Sequence, residues 1–324
     1  MIALLRASYE GWHGERSEAV WQWKFVENPH GEARIWVGDD EGRIAGCYIL
    51  TPVMMQVARE TVRGAQSVDA AVSPDYRGRG VFTDLAKAAL QDAAAAGIAL
   101  VFAFPSEGAF GGQIRVGYKP QLVVPKAYRP LVWAPRQQRF HDLSLSEAGA
   151  FDARFDVFCG QGGDHEISPH RDPAYLNWRY FAHPTHGYDV ITCERGSEIC
   201  GYCVLKVRET RRLAVGYVVD LQVLPDSGSA ARFLAHHALL RLRSKGARLA
   251  VSWERPPGQV QEAMGSCGFS PRYASIRQRL RRTRYVDQLI AFDGDEDRLV
   301  ESESGARLDG SLRWSLVPGD ADYV

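Results

Sequence analysis

Residues 73–85 read Ser-Pro-Asp-Tyr-Arg-Gly-Arg-Gly-Val-Phe-Thr-Asp-Leu, and this stretch decides the predicted fold. It follows the apolar run Ala70–Val72, which is typical of the end of a strand, and leads into a helix predicted over Val81–Ala96. Backbone N–H groups at a helix N-terminus lack intrahelical partners, and the helix dipole adds positive potential there. Gly78 and Gly80 let the backbone approach an anion closely. The stretch therefore predicts a site for a pyrophosphate group.

The chain consists of two copies of one unit. Paired landmarks recur in the same order: Trp23-Lys-Phe25 and Trp178-Arg-Tyr180, Ile44-Ala-Gly46 and Ile199-Cys-Gly201, Val68-Asp69 and Val219-Asp220, Gly97 and Gly246, Gly117-Tyr118 and Gly268-Phe269. The second copy has Asp226-Ser-Gly228 in place of the Arg-Gly-Arg-Gly turn. The repeat predicts two similar domains, of which only the first has the anion site. We expect their ranges to be residues 1–135 and 136–324, the second ending in a strand tail.

The apolar pattern of the first copy predicts strands before helices. The predicted elements are a strand meander (Ala33–Gly38, Ile44–Thr51, Met54–Val62) with a turn near Pro52, then a strand at Gln66–Val72, the helix, a buried strand at Ala99–Phe104, a short helix near 109–116 and a final strand at Tyr118–Tyr128. Helix 81–96 presents a stripe of apolar residues at helical spacing, as expected for a helix packed on a sheet.

The motif Arg77-Gly-Arg-Gly80-Val-Phe82 resembles the acyl-CoA pyrophosphate loop of the GNAT superfamily of N-acetyltransferases, written Q/R-x-x-G-x-G/A. Arg77 fills the first position and Gly80 the fourth, but the sixth is Phe82 instead of Gly or Ala. The predicted element order is that of a GNAT domain, and the loop follows the fourth strand. The resemblance implies an α/β fold of two tandem acyl-CoA N-acyltransferase (GNAT) domains, each a mixed, mostly antiparallel sheet flanked by helices. The alternative is a surface turn that carries two arginines.

The resemblance also implies a co-substrate, acetyl-CoA, and the residues that hold it. A backbone N–H at the splayed end of the fourth strand, here that of Val72, would contact the thioester carbonyl. The N–H groups of residues 78 to 82 would bind the pyrophosphate. The expected CoA-binding residues are Ala71, Val72, Ser73, Arg77, Gly78, Arg79, Gly80, Val81 and Phe82.

The catalytic residues are less clearly marked. Acyl transfer from a thioester requires alignment of the amine, polarisation of the carbonyl and two proton transfers. In the family, a carboxylate or water acts as base and a tyrosine in the helix after the fifth strand acts as acid, but this helix has Phe110. Glu107, just past the fifth strand, is the expected base, because a base must come within reach of the amine. Asp69 recurs as Asp220 in the second copy, which favours a structural role.

Two hydroxyl groups are candidates for the acid. Ser106 precedes Glu107 and is the expected acid. Tyr118 is the alternative, although its counterpart Phe269 indicates a position in the core.

Composition excludes several classes of function. A formal net charge of zero gives no electrostatic case for nucleic acid or a membrane surface. No apolar run approaches the roughly 20 residues that cross a bilayer, and no secretory signal is visible. The basic run Arg277–Arg284 alternates and precedes the acidic run Asp293–Asp297, which favours a solvated strand face over a nucleic-acid site.

The cysteines indicate compartment and metal use. Six cysteines are scattered along the chain, as expected for reduced thiols in the cytoplasm. Cys200 and Cys203 have zinc-like spacing, but they lie in a predicted strand without a second ligand pair, so we expect no metal.

The expected function is transfer of an acetyl group from acetyl-CoA to a small-molecule amine, such as an amino sugar, by a monomer or homodimer. Two alternatives stay open. The missing tyrosine favours a non-catalytic module that binds acyl-CoA and reports it to a partner. A tandem-fold aminoacyl transferase that uses charged tRNA is the other, and the CoA loop and zero net charge disfavour it.

Overall fold

The computed structural model describes residues 1–9, 17–133, 138–159, 166–211, 213–270, 288–293 and 313–321. The helices are α1 Ile2–Ser8, α2 Ser17–Trp21, α3 Val81–Ala95, α4 Glu107–Arg115, α5 Pro173–Tyr180, α6 Gly228–Ser244 and α7 Gln259–Ser266. The strands are β1 Arg34–Asp40, β2 Arg43–Val57, β3 Glu60–Val72, β4 Leu100–Ala103, β5 Lys119–Val123, β6 Lys126–Pro130, β7 Ser144–Glu147, β8 Glu166–Pro169, β9 Asp189–Arg195, β10 Glu198–Glu209, β11 Ala214–Val223, β12 Leu249–Trp253, β13 Gln288–Asp293 and β14 Arg313–Trp314.

Two mixed sheets form the frame of the molecule and confirm the predicted α/β class. The first has the order β14-β8-β2-β3-β4-β13-β5, with β1 paired to β2. The second has the order β6-β12-β11-β10-β9-β7. In each sheet one parallel pair is joined through a helix, β3 to β4 through α3 and β11 to β12 through α6. These helices bury their apolar faces on the sheets in two separate cores.

The two sheets exchange a strand. The prediction of one strand over Tyr118–Tyr128 was wrong, because the chain leaves the first sheet after β5 and enters the second sheet as β6. Strand β13, from the second half of the chain, inserts between β4 and β5 with antiparallel pairing on both sides. The boundary at residue 135 stays a prediction, and strands cross it in both directions. The predicted C-terminal strand appears as β14, which pairs with β8.

The predicted turn at Pro52 was also wrong. Strand β2 runs unbroken through Pro52, which lies opposite Ala65 of β3. Its carbonyl accepts a hydrogen bond from Asn28 Nδ2 at 2.8 Å, so the polar atoms of Pro52 face away from β3. On that side β1 pairs only as far as Leu50 and β8 begins at Met55. A proline fits there because no neighbouring strand needs its missing N–H.

The repeat-equivalent tryptophans Trp23 and Trp178 lie against each other. The rings of Trp23 and Trp178 are stacked with centroids 4.8 Å apart. Each indole Nε1 donates a hydrogen bond to the backbone carbonyl of the other residue at 2.8 Å. This reciprocal contact is expected where two copies meet about a local twofold axis.

Some predictions cannot be compared with the structure. The basic run Arg277–Arg284 lies outside the described residues. Within the described ranges, no helix has the length and apolar character needed to span a membrane.

Candidate functional site

Strands β3 and β4 separate at their C-terminal ends. Their parallel pairing ends at Ser67 and Ala103, whereas β3 continues to Val72. We call the gap between residues 68–72 and residues 104–107 the fork. Ligands of open sheets with helical crossovers bind at such carboxyl ends of strands. The fork is therefore the first candidate site.

The backbone of Val72 faces the fork. Ser73 donates its N–H to Ala45 on the β2 side at 2.9 Å. Because N–H groups alternate along a strand, that of Val72 points to the opposite side, where β4 has diverged. The carbonyl of Val72 also turns there, since it accepts a hydrogen bond from Arg77 Nε at 3.3 Å. Val72 thus presents an N–H donor at the open edge, with buried Ala71 and half-buried Ser73 beside it.

A β-bulge bends β3 next to this donor. Asp69 and Ala70 lie opposite the single residue Tyr48 of β2, and Asp69 has a positive φ of 45°. The carboxylate of Asp69 forms a buried ion pair with Lys24 Nζ, their side chains being 9% and 8% exposed. Lys24 lies in a π-helical turn, Gln22–Val26, which buries three consecutive side chains. Asp69 therefore fixes the bulge, in agreement with the structural role predicted for it.

The glycine turn opens the N-terminus of α3. Gly78 and Gly80 both lie in the left-handed region, with φ of 76° and 86°. Helix α3 begins at Val81, and no side chain caps its first N–H groups. A Cβ at Gly78 would meet open space, and residues 77–80 are exposed. This uncapped turn, which we call the cradle, fits a pyrophosphate group.

Arg79 is held beside the cradle by an aromatic ring. Its guanidinium lies 5.4 Å from the ring centroid of Tyr76, whose hydroxyl donates to Asp40 Oδ2 at 2.7 Å. Arg77 reaches back to Val72. The two arginines therefore flank the route from the cradle to the fork.

Phe82 at the sixth motif position points into the protein. Its ring packs edge-on against Tyr48 with centroids 5.7 Å apart. A Cβ at Gly112 of α4 would lie 2.6 Å from the Phe82 ring, so only glycine leaves room for it. Half-buried Val81 approaches Gly46 of β2 in the same way. The large residue thus leaves the cradle clear.

The second copy has no comparable cradle. Helix α3 begins seven residues after Pro74, whereas α6 begins only three residues after Pro225. The hydroxyl of Ser227 donates to the carbonyl of Pro225 within this tight turn. The short connection leaves no glycine loop that could surround a phosphate.

Sequence reasoning missed a buried polar cluster at the base of the fork. The hydroxyls of Tyr48 and Tyr118 are 2.9 Å apart, and Gln113 Nε2 donates to Ser67 Oγ at 3.4 Å. Burial raises the pKa of Tyr118 well above its ordinary value and also raises the pKa of Tyr48. Both rings therefore stay neutral. Tyr118 is 2% exposed, which confirms its predicted core position.

The predicted base and acid lie on the other branch of the fork. Ser106 precedes α4 and Glu107 is its first residue, and both are exposed. The Ser106 side chain makes no capping hydrogen bond, so its hydroxyl is not committed to the helix. The C-terminal ends of β3 and β4 share one edge of the sheet, which brings these residues to the end that presents Val72. Their catalytic roles stay predictions.

The chain resembles a known family in the sequence of its first 120 residues and solved structures in its fold over most of its length. Residues 1–120 match the family described as an acetyltransferase (GNAT) domain. No curated protein sequence matches the chain. A probable N-acyltransferase from Enterococcus faecalis V583 is 14% identical with a TM-score of 0.68, over 92% of this chain and 70% of that one. A GCN5-related N-acetyltransferase from Anabaena variabilis ATCC 29413 is 15% identical with a TM-score of 0.66, over 90% and 69%.

The tandem arrangement also has a solved counterpart. A tandem GNAT protein from the clavulanic acid biosynthesis pathway is 14% identical with a TM-score of 0.53, over 90% of this chain and 93% of that one. Identities this low establish the fold alone. Residues 1–120 are therefore similar to a GNAT acetyltransferase domain, and the whole chain has the fold of a tandem GNAT protein, with two GNAT-like sheets.

Proposed function

We propose that the protein is an acetyl-CoA-dependent N-acetyltransferase whose acceptor is the amine of a small molecule, such as an amino sugar or related metabolite. The observation that carries the proposal is the uncapped, glycine-lined start of α3 next to the free edge of Val72. The cradle supplies backbone donors for the pyrophosphate, and the fork supplies a donor for the thioester oxygen.

The reaction needs little from the side chains. The neutral amine attacks the thioester carbon while the N–H of Val72 stabilises charge on the carbonyl oxygen. As the C–N bond forms and the C–S bond breaks, Glu107 accepts the amine proton, directly or through water. Ser106 donates a proton to the leaving thiolate and recovers it from solvent. CoA and an N-acetylated amine are the products.

The cradle can be tested by binding. We expect Gly80→Glu to abolish CoA binding, because a carboxylate then occupies the phosphate position. The double change Arg77→Glu, Arg79→Glu should weaken binding about 10²- to 10⁴-fold, since each of the two charge-assisted contacts contributes about 1.5–3 kcal/mol. Calorimetry gives the affinity, and circular dichroism verifies folding. The matched control, Ser227→Glu in the second copy, should bind CoA as the unmodified protein does. Equal CoA binding by all variants would mean that the loop is only a turn.

Turnover needs a separate test. Labelled acetyl-CoA with a library of small amines should yield N-acetylated product, and Glu107→Gln should lower kcat without changing CoA affinity. Glu198→Gln, an exposed change in the second copy, is the control for loss of a carboxylate. CoA binding without transfer to any amine would replace the proposed enzyme with an acyl-CoA-binding module.

We also propose a cytoplasmic location, which the six free cysteines support. Fractionation with a compartment marker tests it, and a protein found only outside the cytoplasm would contradict it. Sedimentation distinguishes a monomer from a homodimer.

A further inference from the structure

A cavity of about 310 Å³ lies at the strand ends of the second sheet, against residues of the first sheet. It lies where β11 ends and the chain after β12 turns into α7, and residues of β2 and β8 close its far side. This volume is at the lower end of the range for ligand sites, about 300–1,000 Å³. The cavity therefore suits a small metabolite and is too small for a whole acyl-CoA.

Basic side chains line the cavity. Arg171, Arg255 and His170 line it, and none of the described residues around it is Asp or Glu. Arg171 is bound by the carboxylates of Asp320, at 2.7 Å, and Asp220, at 3.3 Å, but neither acid lines the cavity. Arg171 also donates from Nη1 to the carbonyl of Pro169 at 3.0 Å, so all three of its guanidinium nitrogens are engaged and the two acids offset its charge. Arg255 is therefore the lining side chain on which we expect an anion to depend.

Two further features suit a negatively charged guest. The first turn of α7 lines the cavity, and no side chain caps its N–H groups after Gly258. His170 Nδ1 is buried and has no hydrogen-bond partner among the described residues. Buried polar atoms in native proteins are normally paired, so an unpaired one at a cavity calls for a partner.

The cavity is distinct from the fork. Gly46 of β2 lies beside Val72, whereas Gln56, which lines the cavity, is ten residues further along the same strand. At about 3.3 Å per residue, these two points are about 30 Å apart. A ligand in the cavity cannot meet the transferred acyl group at the fork.

We infer that this cavity binds a small molecule that carries a carboxylate or phosphate group, independently of acyl-CoA. The second copy lost the cradle but places the N-terminus of α7 and Arg255 at its own strand ends. At the matching position, the first copy has Glu107, the first residue of α4, where the second has Gly258. The acidic residue disfavours an anion there, and glycine admits one.

The test measures binding of inorganic phosphate and of succinate to the full-length protein saturated with CoA, which covers the cradle. Calorimetry should show saturable binding of at least one probe, and the tighter one identifies the chemical class. Arg255→Gln should weaken that probe at least tenfold. Val260→Phe should do so too, by filling the cavity without a change of charge. Arg232→Gln, an exposed change on α6 outside the cavity, should alter the affinity less than twofold.

Three results would overturn the inference. One is the absence of saturable binding of either probe. Another is an equal loss in Arg232→Gln and Arg255→Gln, which would indicate general surface charge. The third is binding that disappears when CoA is present or in Gly80→Glu, which would assign the probe to the cradle. Because Arg255 also donates to Ser315 at 3.2 Å, circular dichroism of each variant verifies that the fold persists.

Discussion

Phe82 lies so close to Gly112 that the two residues must be considered together. The motif departure was visible in the sequence, but its explanation lies thirty residues away on α4. Local pattern says nothing about such a partner. The same holds for Lys24 and Asp69, which are 45 residues apart and form a buried ion pair. The sequence therefore predicted the glycine turn and the start of α3, but not the contacts that hold them.

The contact between Phe82 and Gly112 predicts that Gly112→Ala lowers the free energy of unfolding when Phe82 is present and raises it when the ring is removed. Alanine is preferred to glycine inside a helix by about 1 kcal/mol. Gly112→Ala should nevertheless lower the free energy of unfolding by about 1–3 kcal/mol, because the new Cβ collides with the Phe82 ring. In a Phe82→Ala background the same change should raise it. Denaturant unfolding of the four proteins measures both effects.

The neighbouring glycine is the control. A Cβ at Gly111 would lie 3.8 Å from the nearest atom, on Arg115, so Gly111→Ala should stabilise the protein in either background. If Gly112→Ala stabilises the protein with Phe82 in place, the ring does not require glycine.

The ion pair at the bulge predicts a loss of stability from a change of one atom. Asp69→Asn keeps a residue that tolerates the positive φ but removes the carboxylate charge that faces the buried Lys24 ammonium. We expect the free energy of unfolding to fall by about 3–5 kcal/mol. Lys24→Met combined with Asp69→Asn should recover much of the loss. A loss below about 1 kcal/mol in Asp69→Asn would mean that the pair behaves as a surface contact.

Among the elements, those set by local pattern were predicted best. Helix α3 spans Val81–Ala95 against a prediction of Val81–Ala96, because its apolar stripe and terminal glycines mark both ends. The meander was divided wrongly at Pro52, since whether a strand tolerates proline depends on its neighbours. The destination of β6 was also missed. Apolar alternation reports that a segment is buried in a sheet but not which of two sheets receives it.

Strand β13 does not line the fork but supports β4, which ends at it. Its two ladders join β4 to β5, so Ala291→Pro should remove hydrogen bonds inside a sheet, at a cost of about 3 kcal/mol or more. We expect faster amide exchange at 100–103 and 119–123 and weaker CoA binding. Arg34→Pro, at the start of edge strand β1, is the matched control and should leave both unchanged. Unchanged exchange in Ala291→Pro would show that β4 holds its position without β13.

At the scale of the whole molecule, neutral histidines where the halves meet predict how stability depends on pH. Burial lowers the pKa of His183 to about 3 and that of His186 to about 4, and it also lowers the pKa of His30. His183 lies against Trp23, with ring centroids 4.2 Å apart. In the unfolded chain these histidines titrate near 6.5 and bind protons that the folded protein excludes.

Stability should therefore be full above about pH 6.5 and fall as the pH drops towards 4. We expect the unfolding midpoint to decrease over this range. The double change His183→Phe, His186→Phe should make the decrease shallower, whereas His141→Phe, at an exposed position, should not. Thermal unfolding at several pH values measures the slopes. Parallel curves for the double variant and the unmodified protein would assign the pH dependence to other groups.

The strand exchange also affects how the chain folds while it is being made. Strand β13 begins 165 residues after β5 ends, yet it lies between β4 and β5. At about 5–20 residues per second, a ribosome needs about 8 to 30 seconds to synthesise that interval. During this time the apolar strands on either side of the missing one have no partner between them. The second sheet, whose strands all lie within residues 126–253, can therefore be completed before the first, which waits for β13.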